Sequence, residues 1–436
     1  MTSALHSPLS IINSPLPSGY KQTEVGVIPE EWETQSGEQL TTLIGKGASP
    51  RWQGFEYSNR GMLFVTSENV RDGFLDVREP KYLPLAFHEK LKRTKLQKHD
   101  ILINLVGASI GRSCQLLQDL GEANVNQAVA VFRVKGEICS EFIACCFQAP
   151  TTINRILEMQ VDAARPNVSL SDLRQFLIPL PPLPEQRAIA TALSDVDALL
   201  GGLDRLIAKK RDLKQAAMQQ LLTGQTRLPG FTGEWEVKTM SEVCWFQEGP
   251  GVRNTQFTAS GVKLLNGTNI FRGVLNLETT SRFISEKEAH GAYAHFLADE
   301  GDIVLASSGI TIERLHEKVA FVSARDLPFC MNTSTIRFKP SAGILDPKFL
   351  FQFLTSDAFK RPIGGQATGS AQLNFGPSHV AKINISTPPL PEQTAIAAVL
   401  TDMDAELAVL EQRLAKTRDL KQGMMQELLT GKTRLV

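Results

Sequence analysis

Two stretches of the chain have the hydrophobic spacing of long amphipathic helices. Apolar residues recur at alternating intervals of four and three positions over residues 189–207 and over residues 396–414, which is the a/d seam of a coiled coil. A proline near each start and a glycine after each end extend the predicted helices to residues 185–222 and 392–429. The predicted seam consists of Ile189, Leu193, Val196, Leu200, Leu203, Ile207, Ile396, Leu400, Met403, Leu407, Leu410 and Leu414.

Both helices belong to one internal repeat. Residues 181–228 recur as residues 388–435 without insertion or deletion, and 31 of the 48 positions are identical. Each copy opens with PPLPEQ and closes with LLTG-x-TRL. A helix of about 57 Å, at about 1.5 Å per residue, needs a long partner, and the other copy is the simplest one. Two separate helices, each packed on its own domain, are the alternative.

One feature distinguishes the two helices. Gly201 and Gly202 each disfavour helix at the middle of the first copy by about 1 kcal/mol relative to alanine. The second copy has Ala408 and Val409 at the same places. The glycine pair leaves open either a kink or a helix that packing keeps continuous.

Outside the helices, short apolar runs alternate with turns in an order that is repeated in both halves. Residues 64–75 (FVTSENVRDGFL) parallel residues 264–275 (LLNGTNIFRGVL), and residues 99–112 (HDILINLVGASIGR) parallel residues 301–314 (GDIVLASSGITIER). Short, turn-separated strands with few helices predict a mainly β core in each half. The predicted fold class is therefore α+β, with two mainly β domains and two long helices.

Composition narrows the class of protein. No apolar run approaches the roughly 20 residues of a membrane span, and residues 1–20 have the composition of a flexible tail. The 46 basic and 46 acidic residues cancel, so charge alone does not indicate nucleic acid. Six cysteines without a C-x-x-C pair predict free thiols in a reducing cytosol.

No motif for catalysis or metal binding is evident. The sequence contains no G-x-x-x-x-G-K-[ST] phosphate loop, no Asn-Pro-Pro-aromatic segment and no G-x-G-x-x-G array. His290 and His295 lack a second pair of ligands, so a metal site is not expected. The chain is predicted not to be an enzyme by itself, with neither a catalytic residue nor a cofactor of its own.

The ordered set of motifs resembles the specificity subunit (HsdS) of type I restriction–modification systems. The residues that carry the resemblance are YKQTEVGVIPEEW at 20–32, the HDIL and GDIV runs with their following turns, and the two PPLPEQ-led helices. It extends from about residue 20 to the end and occurs in both halves. No single motif is decisive, but the ordered set is specific.

The resemblance implies a domain organisation and a set of partners. It implies a target-recognition domain in residues 21–180, a spacer helix in residues 181–228, a second recognition domain in residues 229–387 and a second spacer helix in residues 388–436. The helices would pack antiparallel, and their length would set the gap between the two parts of an asymmetric double-stranded DNA target. Two DNA-methyltransferase (HsdM) and two restriction/translocase (HsdR) subunits would carry S-adenosylmethionine, ATP and magnesium, in the cytoplasm.

Candidate DNA contacts follow from base-reading chemistry, in which arginine or lysine binds guanine and asparagine or glutamine binds adenine. For each candidate the alternative is a turn cap or a solvated charge. The basic cluster within residues 90–99, which includes Lys92, Arg93 and Lys95, is either a solvated surface or a phosphate-contact strip. Asn69 and Asn269 match between the halves, which favours a structural role. Arg112 and Arg314 match in the same way, and a shared phosphate contact is the alternative for them. The candidates are Ser67, Arg71, Lys92, Arg93, Lys95, Arg112, Arg253, Asn266, Thr268, Arg272 and Arg314.

Other classes of function remain as hypotheses. A stand-alone DNA-binding repressor or decoy would bind its site without a methyltransferase. A remnant of a fused restriction–methylation enzyme would transfer methyl groups by itself. A purely structural coiled-coil adaptor is disfavoured, because the two large globular halves would then have no function.

Overall fold

The computed structural model describes residues 16–159, 167–366 and 373–435. The chain forms two compact units. The first contains residues up to 203 together with residues from 413 onwards, and the second contains residues 204–412. Each unit therefore combines one globular domain with a segment of both long helices. The predicted α+β class is confirmed.

The described part of the first globular domain contains short strands and five short α-helices, and the first long helix follows it. Its helices are α1 Gly37–Leu40, α2 Leu85–Lys90, α3 Ser140–Gln148, α4 Pro150–Glu158 and α5 Leu170–Gln175, and the long helix is α6 Leu183–Leu221. Its strands are β1 Tyr20–Thr23, β2 Gly26–Pro29, β3 Glu33–Ser36, β4 Thr41–Lys46, β5 Met62–Val65, β6 Tyr82–Leu83, β7 Ile101–Asn104, β8 Ser113–Gln115, β9 Ala123–Val125, β10 Val129–Val134 and β11 Leu177–Leu180.

The described part of the second globular domain also has five short helices, but 13 strands where the first has 11, and the second long helix follows it. Its helices are α7 Met240–Val243, α8 Glu286–His290, α9 Pro347–Thr355, α10 Asp357–Gln366 and α11 Pro377–Val380, and the long helix is α12 Leu390–Leu428. Its strands are β12 Glu236–Thr239, β13 Cys244–Glu248, β14 Val262–Leu265, β15 Ile270–Phe271, β16 Val274–Leu275, β17 Phe283–Ile284, β18 Ile303–Ala306, β19 Ser308–Ile310, β20 Val319–Phe321, β21 Phe329–Met331, β22 Thr335–Pro340, β23 Leu373–Asn374 and β24 Asn384–Thr387.

The sheets of the two domains have the same order. In the first domain, a four-stranded antiparallel sheet β4-β10-β7-β8 lies beside a three-stranded sheet β6-β5-β9, in which β5 and β9 are parallel. In the second, β13-β22-β18-β20 and β17-β14-β21 repeat this arrangement, including the one parallel pair. The parallels between residues 99–112 and 301–314 therefore mark equivalent strands.

Each domain buries the start of the long helix that follows it. Ile189 and Leu193 belong to the apolar core that contains Phe132, Phe142 and Phe147. In the second domain, Ile396 and Leu400 belong to the core that contains Phe338, Phe349 and Phe353. The first two seam positions of each helix thus pack on a globular domain. Of the other predicted seam residues, Leu203, Ile207, Leu407 and Leu414 are buried, and Val196, Leu200, Met403 and Leu410 are half-buried.

Within each unit, a segment of α6 and a segment of α12 run antiparallel. In the second unit, Lys210 contacts Glu406 at 2.7 Å and Lys214 contacts Asp404 at 2.5 Å, so the partner number falls as the first number rises. In the first unit, Asp197 contacts Lys421 at 2.7 Å. The helix α6 is uninterrupted through the glycine pair at 201–202. No helix of the described residues is both long and apolar enough to span a bilayer.

A buried carboxylate joins the start of each long helix to the segment that follows the end of the other. In the first unit, Glu185 accepts hydrogen bonds from Arg434 at 2.6 and 2.8 Å and from Trp32 Nε1 at 3.0 Å. In the second, Glu392 accepts them from Arg227 at 2.5 and 2.6 Å and from Trp235 Nε1 at 3.1 Å. We call each of these three-residue groups a clasp. The clasps explain why PPLPEQ and TRL recur together, since each motif supplies a partner to the other.

The glutamine after each clasp carboxylate anchors its helix to the domain. Gln186 accepts from the backbone N–H of Cys139 at 3.0 Å and donates to the carbonyl of Pro181 at 2.8 Å. Gln393 accepts from the N–H of Asp346 at 2.8 Å and donates to the carbonyl of Pro388 at 2.8 Å. The glutamate and the glutamine of the PEQ motif therefore both have a structural explanation.

Candidate nucleic-acid interface

In the first domain, four loops meet at one end of the four-stranded sheet. They are residues 47–50 after β4, 66–69 after β5, 105–112 after β7 and 126–128 before β10. The N–H of Gly47 donates to the carbonyl of Asn126 at 3.2 Å, and the amide of Asn104 donates to the carbonyl of Ser67 at 2.9 Å. We call these loops the first edge.

The second domain has the same four loops, and we call them the second edge. They are residues 249–253, 266–269 and 332–334, together with the segment 307–312, which contains the short strand β19. The N–H of Gly267 donates to the hydroxyl of Ser334 at 3.0 Å, and the N–H of Asn332 donates to the carbonyl of Leu265 at 3.1 Å. Backbone and side-chain groups together therefore hold each edge.

One glycine in each edge permits two loops to approach closely. A Cβ on Gly47 would lie 1.6 Å from the carbonyl oxygen of Val125, and one on Gly249 would lie 2.4 Å from the carbonyl oxygen of Asn332. No side chain fits at such distances, so both positions require glycine. The backbone of the edges is therefore constrained in the same way in both domains.

Asn69 and Asn269 brace the loops after β5 and β14. The Oδ1 of Asn69 accepts from the N–H of Thr66 at 2.8 Å, and its Nδ2 donates to the carbonyl of Asp76 at 2.9 Å. The Oδ1 of Asn269 accepts from the N–H of Asn266 at 3.0 Å, and its Nδ2 donates to the carbonyl of Asn276 at 3.3 Å. Both amides are therefore engaged within their own loops.

A tight turn follows each brace and presents exposed residues next to the edge. In the second domain it is the hairpin β15–β16, with Arg272 at φ +49° and Gly273 at φ +78°. Positive φ at both turn positions is typical of a type I′ hairpin. Asparagine and glycine adopt this conformation more readily than arginine does. Phe271 is 48% exposed and Val274 is 53% exposed. The arginine holds a disfavoured backbone conformation between two exposed apolar side chains.

The structure brings several predicted contact residues to the edges. Ser67 and Arg112 lie in loops of the first edge, and Arg253, Asn266 and Thr268 lie in loops of the second. Arg71 and Arg272 lie in the turns that follow the braces, and Arg71 is 3.8 Å from Asp76. Arg314 lies on the segment after the second edge, where it pairs with Glu317 at 2.8 Å.

The predicted basic residues at 92–95 lie elsewhere. The carbonyl of Lys95 accepts a hydrogen bond from Arg133, whose side chain binds Asp100 at the start of β7, whereas the first edge lies at the other end of that strand. Lys95 Nζ pairs with Glu89 at 2.6 Å, and Lys92 lies 3.7 Å from the same carboxylate. Lys92, Arg93 and Lys95 are therefore not grouped with Ser67 and Arg112.

Buried ion pairs stabilise the sheet end opposite each edge. Arg133 binds Asp100 at 2.7 Å in the first domain, and Arg337 contacts Asp302 at 3.3 Å in the second. Both aspartates are buried. These pairs were not predicted from the sequence, although the Asp that precedes Ile in both HDIL and GDIV is a signal that the two halves share.

Other chemistry is limited among the described residues. They contain no group of three or more His, Cys, Asp or Glu side chains placed to hold a metal ion. The six cysteines are free thiols. Burial raises the pKa of Cys114 and Cys330 to about 12, so these thiols are protonated at neutral pH.

One position directly before each edge was not identified from the sequence. Lys46 is the last residue of β4, and Glu248 is the last residue of β13. Both immediately precede the close-approach glycines, Gly47 and Gly249. Aligning those two glycines would have identified the pair, but the flanking residues of the two halves are too dissimilar to suggest that alignment.

The chain is similar in sequence to specificity subunits. Residues 29–208 and 232–417 match the family model of the type I restriction modification DNA specificity domain. The type I restriction enzyme MjaVIII specificity subunit of Methanocaldococcus jannaschii is 26% identical over 419 residues, which is 94% of each chain. The EcoBI specificity subunit of Escherichia coli is 26% identical over 223 residues, covering 49% of this chain and 44% of that one.

Solved structures share the fold. A structure described as the basis of complex assembly and conformational transition of the type I R-M system has a TM-score of 0.61 at 18% identity, covering 93% of this chain and 99% of that one. The S subunit of the type I system from M. genitalium has a TM-score of 0.53 at 16% identity, covering 91% and 96%. Because the family model matches most of both halves, the chain belongs to the family of type I restriction–modification DNA specificity domains.

Proposed function

We propose that the chain is a DNA-recognition subunit that reads an asymmetric, two-part target, with one part contacted by each edge. The observation that carries this proposal is the contrast between scaffold and edge. The two domains have the same sheet order, the same close-approach glycine and the same asparagine brace, but different side chains at the edges. Two copies of one binding frame with different contact residues suit two different sequences.

The chemistry of the edges supports DNA as the ligand. The loops carry hydroxyl, amide and guanidinium groups, which are the side chains that bind base edges and phosphates. Within the first edge these include Ser67, Gln127 and Arg112, and within the second they include Asn266, Thr268 and Arg253. The net charge is zero, so affinity would depend on these local contacts and on partner subunits more than on a general positive field.

The methyl-transfer and cleavage chemistry would belong to other subunits. We propose that two methyltransferase (HsdM) and two restriction/translocase (HsdR) subunits bind this chain and carry S-adenosylmethionine, ATP and magnesium. The name of the relative from M. jannaschii, a specificity subunit of a restriction enzyme, supports a non-catalytic role within a complex. In the second unit, Leu213 and Val409 are exposed on the long helices, and exposed apolar side chains on helices suit subunit contacts.

The test is a map of modified bases. The chain is co-expressed with a methyltransferase subunit of its own system, and the modified adenines of the host genome are located. One asymmetric split motif is expected. A chimera in which residues 229–387 come from another specificity subunit should change one part of that motif and retain the other. The absence of any modified motif, or a chimera that changes both parts, would contradict the proposal.

A further inference from the structure

One position in the shared frame carries opposite charges in the two domains. Lys46 pairs with Ala130, the second residue of β10, and Glu248 pairs with Ile336, the second residue of β22. Because the sheets have the same order, Lys46 and Glu248 occupy the same register position on equivalent strands. Each is the last residue before its edge.

The carboxylate of Glu248 has no partner among the described residues, whereas other carboxylates near the edges do. Asp76 binds Arg78 at 2.7 Å and Glu317 binds Arg314 at 2.8 Å, but the side chain of Glu248 forms neither a hydrogen bond nor an ion pair in the described part of the chain. It is half-buried, and its Oε2 lies 3.6 Å from where a Cβ on Gly376 would be. Burial raises its pKa, as expected for a carboxylate that no cation compensates.

Lys46 differs in exposure but shares the lack of a partner. It is exposed at the end of β4, and it forms no ion pair with any residue of the described ranges. Of the two positions, therefore, one presents an unpaired hydrogen-bond acceptor and the other an unpaired donor. A fold-stabilising role would not call for opposite charges at one place in the same frame.

The major groove explains what each charge can select. A carboxylate only accepts hydrogen bonds, and the donors in the groove are the amino groups of cytosine and adenine. Adenine also places an acceptor, N7, beside its amino group, so a carboxylate favours cytosine. An ammonium group only donates, and guanine offers it two adjacent acceptors, O6 and N7. A carboxylate is repelled by phosphates, so a backbone contact does not suit Glu248.

We propose that this register position determines base specificity in both domains, with Glu248 accepting a hydrogen bond from the amino group of a cytosine and Lys46 donating to O6 or N7 of a guanine. The inference rests on the proposed function, because it requires that each edge lie in the groove of one part of the target. The inference goes beyond that function because it names, for each part of the target, one residue and the base that this residue contacts.

The test uses the complete chain in complex with its methyltransferase subunit and compares the wild type with Glu248→Gln. The wild-type motif should require cytosine at one position of the part read by the second domain. Glutamine can both donate and accept, which matches adenine, so the variant should lose roughly ten- to hundred-fold in preference for cytosine and accept adenine there. The other part of the motif should not change. Lys46→Gln should make the corresponding change at one guanine in the other part only.

The control is Glu300→Gln, which removes the same charge at the opposite end of the second domain's sheet. Glu300 is exposed and lies two residues before Asp302, so its variant should retain the wild-type motif. If the complex with Glu248→Gln does not assemble, Glu248→Asp is measured instead by competition binding to duplexes that vary each base, and a reduced preference at the same single position is expected.

The possible results distinguish an error in the assigned residues from an error in the proposed function. An unchanged motif, or a uniform loss over all four bases at every position, would overturn the assignment of Glu248 while the split motif of the wild type stands. For Lys46, a uniformly weaker but unchanged motif would indicate a phosphate contact and overturn that assignment. A wild-type complex without any split motif would instead refute the proposed function itself.

Discussion

The two globular domains differ most where their sheets end and least where their sheets are built. Both have the same strand order. Both also have a glycine that lies too close to a neighbouring carbonyl for any side chain, and an asparagine that braces the loop after β5 or β14. At the edges, Asn104 corresponds to Ala306, Lys46 to Glu248 and Ser67 to Gly267. The comparison teaches that the two domains share one backbone framework, on which the side chains at the edges differ.

The largest effect should come from the buried ion pair at the end of the sheet opposite each edge. Asp302→Ala leaves the buried guanidinium of Arg337 without its carboxylate, and removing one partner of a buried pair costs about 3–5 kcal/mol of folding free energy. Denaturant unfolding monitored by circular dichroism measures the change. Asp299→Ala is the control, because that side chain is 67% exposed and its pair with Lys339 should contribute less than about 1 kcal/mol. Equal effects of the two variants would refute this account of the frame.

The close-approach glycine should come next. Alanine at Gly249 places a Cβ 2.4 Å from the carbonyl oxygen of Asn332, and the forced shift of the backbone should cost about 3 kcal/mol. Gly251→Ala is the matched control two residues away, because its Cβ would meet only a methyl group of Thr333 at 3.7 Å. Thermal unfolding of both variants measures the difference. A stable Gly249→Ala protein would show that the second edge adapts more easily than the shared geometry implies.

The braces should have equal effects in the two domains. Asn69→Ala and Asn269→Ala each leave loop N–H and carbonyl groups without partners, at a cost of about 1–2 kcal/mol each. The modified DNA motif should be the same as in the wild type, because these amides face their own loops. If a variant has the stability of the wild type but modifies a different motif, that asparagine contacts a base and is not a structural brace.

The smallest expected effect is a dependence on pH that the first domain has at Asp76 and the second domain lacks at the equivalent residue. Asp76 occupies the place of Asn276, and hydrogen bonds from the side chain and backbone of Arg78 lower its pKa from 3.8 to about 2. The stabilisation is complete above the ordinary pKa and is lost as the pH falls through about 2. Carbon-13 NMR of aspartate carboxyls should therefore find one group titrating near pH 2, and Arg78→Ala should return it towards 3.8. An Asp76 that titrates at 3.8 in the wild type would contradict the pairing.

The sequence predicted the two long helices better than it predicted the clasps. The coiled-coil spacing predicted helices at 185–222 and 392–429, and the structure has them at Leu183–Leu221 and Leu390–Leu428. Hydrophobic period and terminal glycines are local signals, which is why they sufficed. The bond between Arg434 and Glu185 joins residues 249 positions apart, and no local pattern encodes such a contact.

The candidate contacts were chosen by residue type. Residue type suggested the polar loops after β5 and β14 and also Lys92 and Lys95, which pair with Glu89. Charge density along the chain does not distinguish a paired cation from a free one. Conversely, Lys46 and Glu248 stand out only when strand register makes them equivalent.

The division of the chain into units has a consequence for its synthesis. The second unit is a continuous stretch, residues 204–412, whereas the first requires residues from 413 onwards to supply Arg434 and the carbonyl of Gly431, which accepts from Tyr20 Oη at 3.0 Å. A ribosome that adds about 5–20 residues per second takes about 10–40 s to travel between the two parts of the first unit. During that interval Trp32 and Glu185 lack Arg434, and the domain that emerges first is the last to be completed.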